Sequence, residues 1–123
     1  MADIIGGMYS YLDPARASDF AMDPEQMLSL ADTFVASLRK DLQTLPQVMA
    51  DQDLVTLRRL LHTLKGYVTF LCTESLGQQL IALEAGSRDK DFAELSSAVN
   101  GIVPMLTALL GEVEHWHAHV LQH

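Results

Sequence analysis

LVTLRRLLHTLKGYVTFL, residues 54–71, is the stretch whose reading decides how this chain folds. Leu54, Leu57, Leu61, Leu64, Val68 and Leu71 recur at intervals of three and four, the spacing of one helical face. A helix turns about 100° per residue, so Leu57, Leu61, Leu64, Val68 and Leu71 fall within one arc of roughly 80°. Arg58, His62, Lys65, Gly66 and Thr69 fall within another arc of about 100° on the far side. The leucine arc predicts a stripe facing a core. His62 is therefore expected in solvent, not among the leucines that flank it in the sequence.

The same periodicity extends in both directions. Residues 24–50 place Ala31, Leu38, Leu42 and Leu45 on one face, together with Met27 or Leu28, Phe34 or Val35, and Val48 or Met49. Asp23 is the expected N-cap, with Pro24 in the first helical position and Gln26 in the reciprocal capping place. Pro46 is expected to kink or end this helix, and a break follows at residues 50–53. TESLGQQLIALEAG, residues 73–86, repeats the pattern at Leu76, Leu80 and Leu83, with Gly86 as a stop. From Asp91 onward, Phe92, Leu95, Val99, Ile102, Leu106, Leu109, Val113, Trp116 and Val120 trace one further stripe, which Pro104, Gly101 and Gly111 are expected to bend or divide. No segment shows a period-two pattern. Four amphipathic helices with short polar links predict an all-α, antiparallel four-helix bundle over residues 24–121. Residues 1–22 form an N-terminal extension, with one short helix expected over residues 4–11 and a turn at DPARASD.

At 123 residues the chain is expected to be one domain with one core, too short to add a nucleotide-binding catalytic domain. Sixteen acidic residues against eight basic ones give a net charge of −8, which repels nucleic acid. Three of those eight, Arg58, Arg59 and Lys65, nevertheless cluster around His62. No uninterrupted apolar run reaches the roughly 18 residues of a membrane span. With no basic, apolar leader pattern at the start and Cys72 as the single cysteine, a cytoplasmic monomer is expected, without disulfide or membrane attachment.

The residues around His62 suggest chemistry. A neutral imidazole is a good nucleophile near neutral pH, and a nearby ammonium can stabilise a phosphoryl group attached to it. Lys65, at i+3, lies one turn along the same face. Gly66 costs about 1 kcal/mol of helix propensity relative to Ala, and it offers another protein's backbone close approach to the ring.

LLHTLKG, inside a helix of an all-helical chain, resembles the histidine-containing phosphotransfer (HPt) domain of bacterial phosphorelays. The signature of that family is H-x-x-K-G, which His62, Lys65 and Gly66 match, and LGQQLIALE resembles its next helix, placing Glu84 near the histidine. The likeness covers residues 24–112. It implies a left-handed, roughly antiparallel bundle with an exposed histidine in mid-helix that accepts a phosphoryl group from a receiver's aspartyl phosphate and passes it to another receiver. It implies no enzyme activity or ATP site, no cofactor or metal of the chain's own, and Mg²⁺ only in the partner receiver. The implied partners are response-regulator receivers and a hybrid sensor histidine kinase. His62 would be the phosphorylated nucleophile, with Lys65 neutralising phosphoryl charge and Gly66 permitting approach. Arg58, Arg59, Thr69 and Glu84 would belong to the partner-binding surface, with Glu84 orienting the ring. Cys72 stands where the family has a second glycine, and Tyr67 and Phe70 are bulkier than its usual residues, so these three are expected to bear on the range of partners.

His115, His117, His119 and His123 crowd the C-terminus, with i, i+4 pairs that fall short of a complete metal site. The alternative function is a non-transferring helical adaptor that docks a receiver or kinase and inhibits or scaffolds it.

Overall fold

The structure, a computed structural model, describes residues 9–19 and 23–121. The helices are α1 (Pro14–Ala17), α2 (Pro24–Ala50), α3 (Leu54–Val68), α4 (Glu74–Gly86) and α5 (Phe92–Trp116), with a 3-10 turn at Ser87–Asp89 and a π turn at His117–Leu121. Among the described residues there is no β-strand, only one antiparallel bridge between Leu12 and Cys72. The all-α expectation holds.

Each long helix begins on a side-chain cap that satisfies an otherwise orphaned backbone N–H. Asp23 accepts from Gln26 N, Asp53 from both Thr56 N and the Thr56 hydroxyl, and Thr73 from Leu76 N. Asp91 and Glu94 form a reciprocal capping box. α2 packs on α3 and α5, α3 on α4, and α4 on α5, so the four long helices close a ring. Links this short make neighbouring helices antiparallel. The core inside the ring contains Phe34, Leu38, Leu57, Leu61, Leu64, Leu80, Leu95, Leu106, Leu109 and Trp116.

Several expectations are corrected. Pro46 and Pro104 neither end nor divide their helices, which run unbroken through both positions. Both prolines, and Gly101 and Gly111, lie on exposed faces, where the carbonyls that a proline leaves unbonded can turn to water. α4 does end at Gly86, as expected, but with φ −82° the glycine is not a left-handed cap, and the chain continues into the 3-10 turn. The DPARASD segment contains the single helical turn α1. The short helix expected over residues 4–11 falls at 4–8 outside the described residues, and residues 9–11 are not helical. α2 ends at Ala50, and Gln52 turns the chain with φ 52°, the one left-handed residue that is not glycine among those described.

Residues 9–13 are stitched to the bundle. Asp13 N donates to Leu71 O and Thr73 N to Tyr11 O, each at 2.8 Å. The Glu112 carboxylate on α5 accepts the N–H groups of Ser10, Tyr11 and Leu12. Leu12 and Ala17 are thereby buried in the core. The segment Phe92–Leu121 is long and apolar enough to cross a membrane by length and composition, but here its stripe from Leu95 to Trp116 lines the bundle interior.

Candidate functional site

The leucine stripe determines where His62 points. With Leu57, Leu61, Leu64 and Val68 buried, His62 emerges near the middle of α3 with its side chain 71% exposed. Its Nδ1 lies 3.0 Å from Glu84 Oε1 on α4. The hydrogen bond to His62 holds the Glu84 carboxyl below the usual carboxylate range against partial desolvation, and Lys65, the His62 charge and Arg88 add to the lowering. An ionised carboxylate can only accept, so Nδ1 carries the proton and donates it to Glu84. In the neutral ring the lone pair is then on the outward nitrogen, Nε2.

Lys65 Nζ stands 3.9 Å from Glu84 Oε2, so one carboxylate holds both the histidine and the lysine. Gly66 is exposed, and a Cβ built on it would meet nothing within 4 Å. Internal packing therefore does not require glycine there, and open approach beside the ring is what its missing side chain provides. Thr69 donates its hydroxyl to Lys65 O and places its methyl toward Gly77.

Arg58 is committed to the fold. Its Nε donates to Ser87 O at 3.0 Å and its Nη2 to Lys90 O at 3.0 Å and Arg88 O at 3.4 Å. It thus satisfies carbonyls of the 3-10 turn that follows α4 and of Lys90 just after it, while lining the same depression as His62. Arg58, Arg59, His62, Glu84, Ser87 and Arg88 line one depression of about 320 Å³. Arg88 was missed by the sequence reading, although it follows Glu84 by four residues, the spacing that puts two side chains on one helical side. Three guanidinium groups around one imidazole, on a chain of net charge −8, make this face locally suited to an anion.

The three bulky residues separate clearly. Cys72 is fully buried, and burial pushes its thiol up to about 11. Tyr67 is partly buried, donates its hydroxyl to Asp41 Oδ2 at 2.7 Å, and packs edge-on to Phe34 with centroids 5.6 Å apart. Burial first, then the Asp41 bond, raises its pKa. Phe70 remains 41% exposed.

The C-terminal histidines are tied into contacts of their own. His115 Nδ1 lies 2.8 Å from the Tyr9 hydroxyl, its ring stacks at 4.6 Å on His119, and His117 Nε2 pairs with Asp32 at 2.7 Å. His123 lies outside the described residues.

A closed ring of antiparallel helices that displays one histidine in mid-helix, oriented from the next helix, defines a helical-bundle protein whose distinctive group faces outward. The model of the Hpt domain family matches residues 29–118, and the chain belongs to that family. Domains of this family are phosphocarriers that work with receiver domains and kinases in phosphorelays. No match was found among curated proteins or among solved structures.

Proposed function

We propose that His62 takes a phosphoryl group from the aspartyl phosphate of one receiver domain and delivers it to the aspartate of another. The observation that carries this reading is the Nδ1–Glu84 hydrogen bond on an exposed imidazole, which leaves Nε2 as an outward nucleophile. Nε2 attacks phosphorus in line, the N–P bond forms, and the P–O bond to the aspartyl carboxylate breaks, that carboxylate leaving with the electron pair. Nδ1 keeps its proton throughout, and Glu84 offsets the positive charge that grows on the ring. Lys65 is close enough to neutralise the phosphoryl oxygens. Arg59 and Arg88 steer the acidic pocket of the receiver, and the Mg²⁺ for the step belongs to that receiver. Return of the group to a second receiver is the same step reversed. A cytoplasmic monomer acting between a hybrid kinase and a response regulator completes the reading.

The test is direct. With a phosphorylated receiver and Mg²⁺, radiolabel moves onto the wild type and not onto His62→Gln. Label on the variant overturns the assignment, and binding without any transfer favours the adaptor.

A further inference from the structure

Glu84 meets His62 from the last turn of α4, the part of a helix least held by its own hydrogen bonds. α4 ends at Gly86, so the Glu84 carbonyl is one of the last four, which find no partner within the helix. Ser87 meets it instead: its backbone N–H and its hydroxyl both donate to Glu84 O, the hydroxyl at 2.7 Å. Ser87 is itself buried, with 3% of its surface exposed.

The Ser87 carbonyl in turn accepts from Arg58 Nε at 3.0 Å, and the same guanidinium donates to Lys90 O and Arg88 O. A continuous chain of hydrogen bonds therefore runs from Arg58 on α3, through Ser87, to the backbone of Glu84. Arg58, His62, Glu84 and Ser87 line one depression, so this chain lies beside the bond from His62 Nδ1 to the Glu84 carboxylate. Two cross-links, Arg58 to Ser87 and His62 to Glu84, join α3 to the end of α4 side by side.

The residue type fits that task. A guanidinium is a rigid planar fork, so three carbonyls bound at once fix the end of α4 in position and in angle, which the point charge of a lysine does not do. Arg59, the next residue, is exposed and lines the same depression. Charge on this face is thus available without Arg58, which is half-buried and spends its donors on backbone.

We infer that Arg58 is a positioning residue for the transfer: it acts through Ser87 and Glu84 to keep the carboxylate against His62 Nδ1, and so keeps the nucleophilic nitrogen outward. This rests on the phosphotransfer reading for what the oriented ring does, but not for the orientation itself. A neutral imidazole that loses its acceptor is free to carry the proton on either nitrogen, and a ring protonated on Nε2 has no outward lone pair. A displacement of about 1 Å in an orienting group is enough to cost up to about a hundredfold in rate.

The experiment uses the full chain labelled with nitrogen-15, as wild type, Arg58→Lys, Arg58→Met, Glu84→Ala and the Arg58→Lys, Glu84→Ala double variant. Arg58→Lys keeps the charge, Arg58→Met keeps the apolar stem, and thermal melts show which proteins are folded; either folded Arg58 variant decides. Long-range proton–nitrogen spectra at a pH where the ring is neutral read the His62 tautomer with no receiver present, the signal being assigned by its loss in His62→Gln. The wild type should show Nδ1 protonated and Nε2 bare. In both Arg58 variants the two nitrogen shifts should draw together as the second tautomer becomes populated. In transfer from a phosphorylated receiver, Arg58→Lys should lower the saturated rate on the order of tenfold and leave the half-saturating receiver concentration within about twofold. On the Glu84→Ala background, Arg58→Lys should change neither the tautomer nor the rate further. A tautomer unchanged in a folded Arg58 variant overturns the inference, as does a change in half-saturation alone, the mark of a steering charge. An Arg58→Lys effect as large without Glu84 as with it overturns it too. An Arg58-dependent tautomer in a wild type that takes no label leaves the inference standing and removes the transfer reading alone.

Discussion

At the scale of single residues, Glu84 carries more of the site than its position on a separate helix suggests. It lies 3.0 Å from His62 Nδ1 and 3.9 Å from Lys65 Nζ, and the hydrogen bond with the ring holds its own carboxyl below the usual carboxylate range. Glu84→Gln keeps a carbonyl acceptor but removes the charge that, in the proposed transfer, offsets the phosphorylated ring. The saturated transfer rate should fall by about tenfold, as when a ring-orienting partner is removed from a ligating histidine. Its half-saturation should not move. The pH dependence has a definite sign. A carboxyl lowered in the folded state stabilises the fold above its ordinary value and loses that contribution as pH falls through the lowered one. The stability gap between wild type and Glu84→Gln, measured by urea unfolding, should be widest near neutrality and close below the usual carboxylate range. A gap that persists below the usual carboxylate range contradicts the lowered carboxyl.

At the scale of elements, the turn after α2 holds a removable strain. Gln52 sits in the left-handed region at φ 52°, where a Cβ costs roughly 1–2 kcal/mol and glycine does not incur it. Allowing for the extra chain entropy of glycine, Gln52→Gly should stabilise the protein by roughly 0.5–1 kcal/mol, a Tm rise of about 2–4 °C by calorimetry. The elements were also where local reading succeeded and failed for identifiable reasons. The stripe from Leu57 to Val68 was legible because burial and helical period coincide there, and it placed His62 correctly in solvent. The possible stops at Pro46 and Pro104 did not form, because propensity records the lost hydrogen bond but not whether the freed carbonyl faces water. Arg58 was legible only in part: its stripe position was right, but its bonds to the carbonyls of Ser87, Arg88 and Lys90 depend on how α3 and α4 pack.

At the scale of the whole molecule, the contacts invisible to periodicity are those that join distant parts of the chain. Glu112 and residues 10–12 are about a hundred positions apart, and nothing in either stretch names the other. A recess beside Phe70, walled by Leu30, Phe34 and Tyr67 among others, is likewise a product of α2 meeting α3, so its residues could be seen as bulky but not as walls of one cavity. Cys72 shows how far this stitching closes the core. Its thiol, raised to about 11 by burial, is protonated at neutral pH and shielded by the bridge to Leu12. Ellman's reagent should label the native protein only at the rate of global unfolding, and immediately in guanidinium. Rapid labelling of native protein would mean that residues 11–13 open independently of the bundle.

Gly66 gives the molecule a different kind of significance. Among the described residues nothing stands where its side chain would be, so none of their contacts keeps position 66 empty. Selection for a durable bundle alone would fill it with alanine. A lineage that retains glycine there is being judged on something outside its own chain, and position 66 is where descendants that lose their partner should first begin to drift.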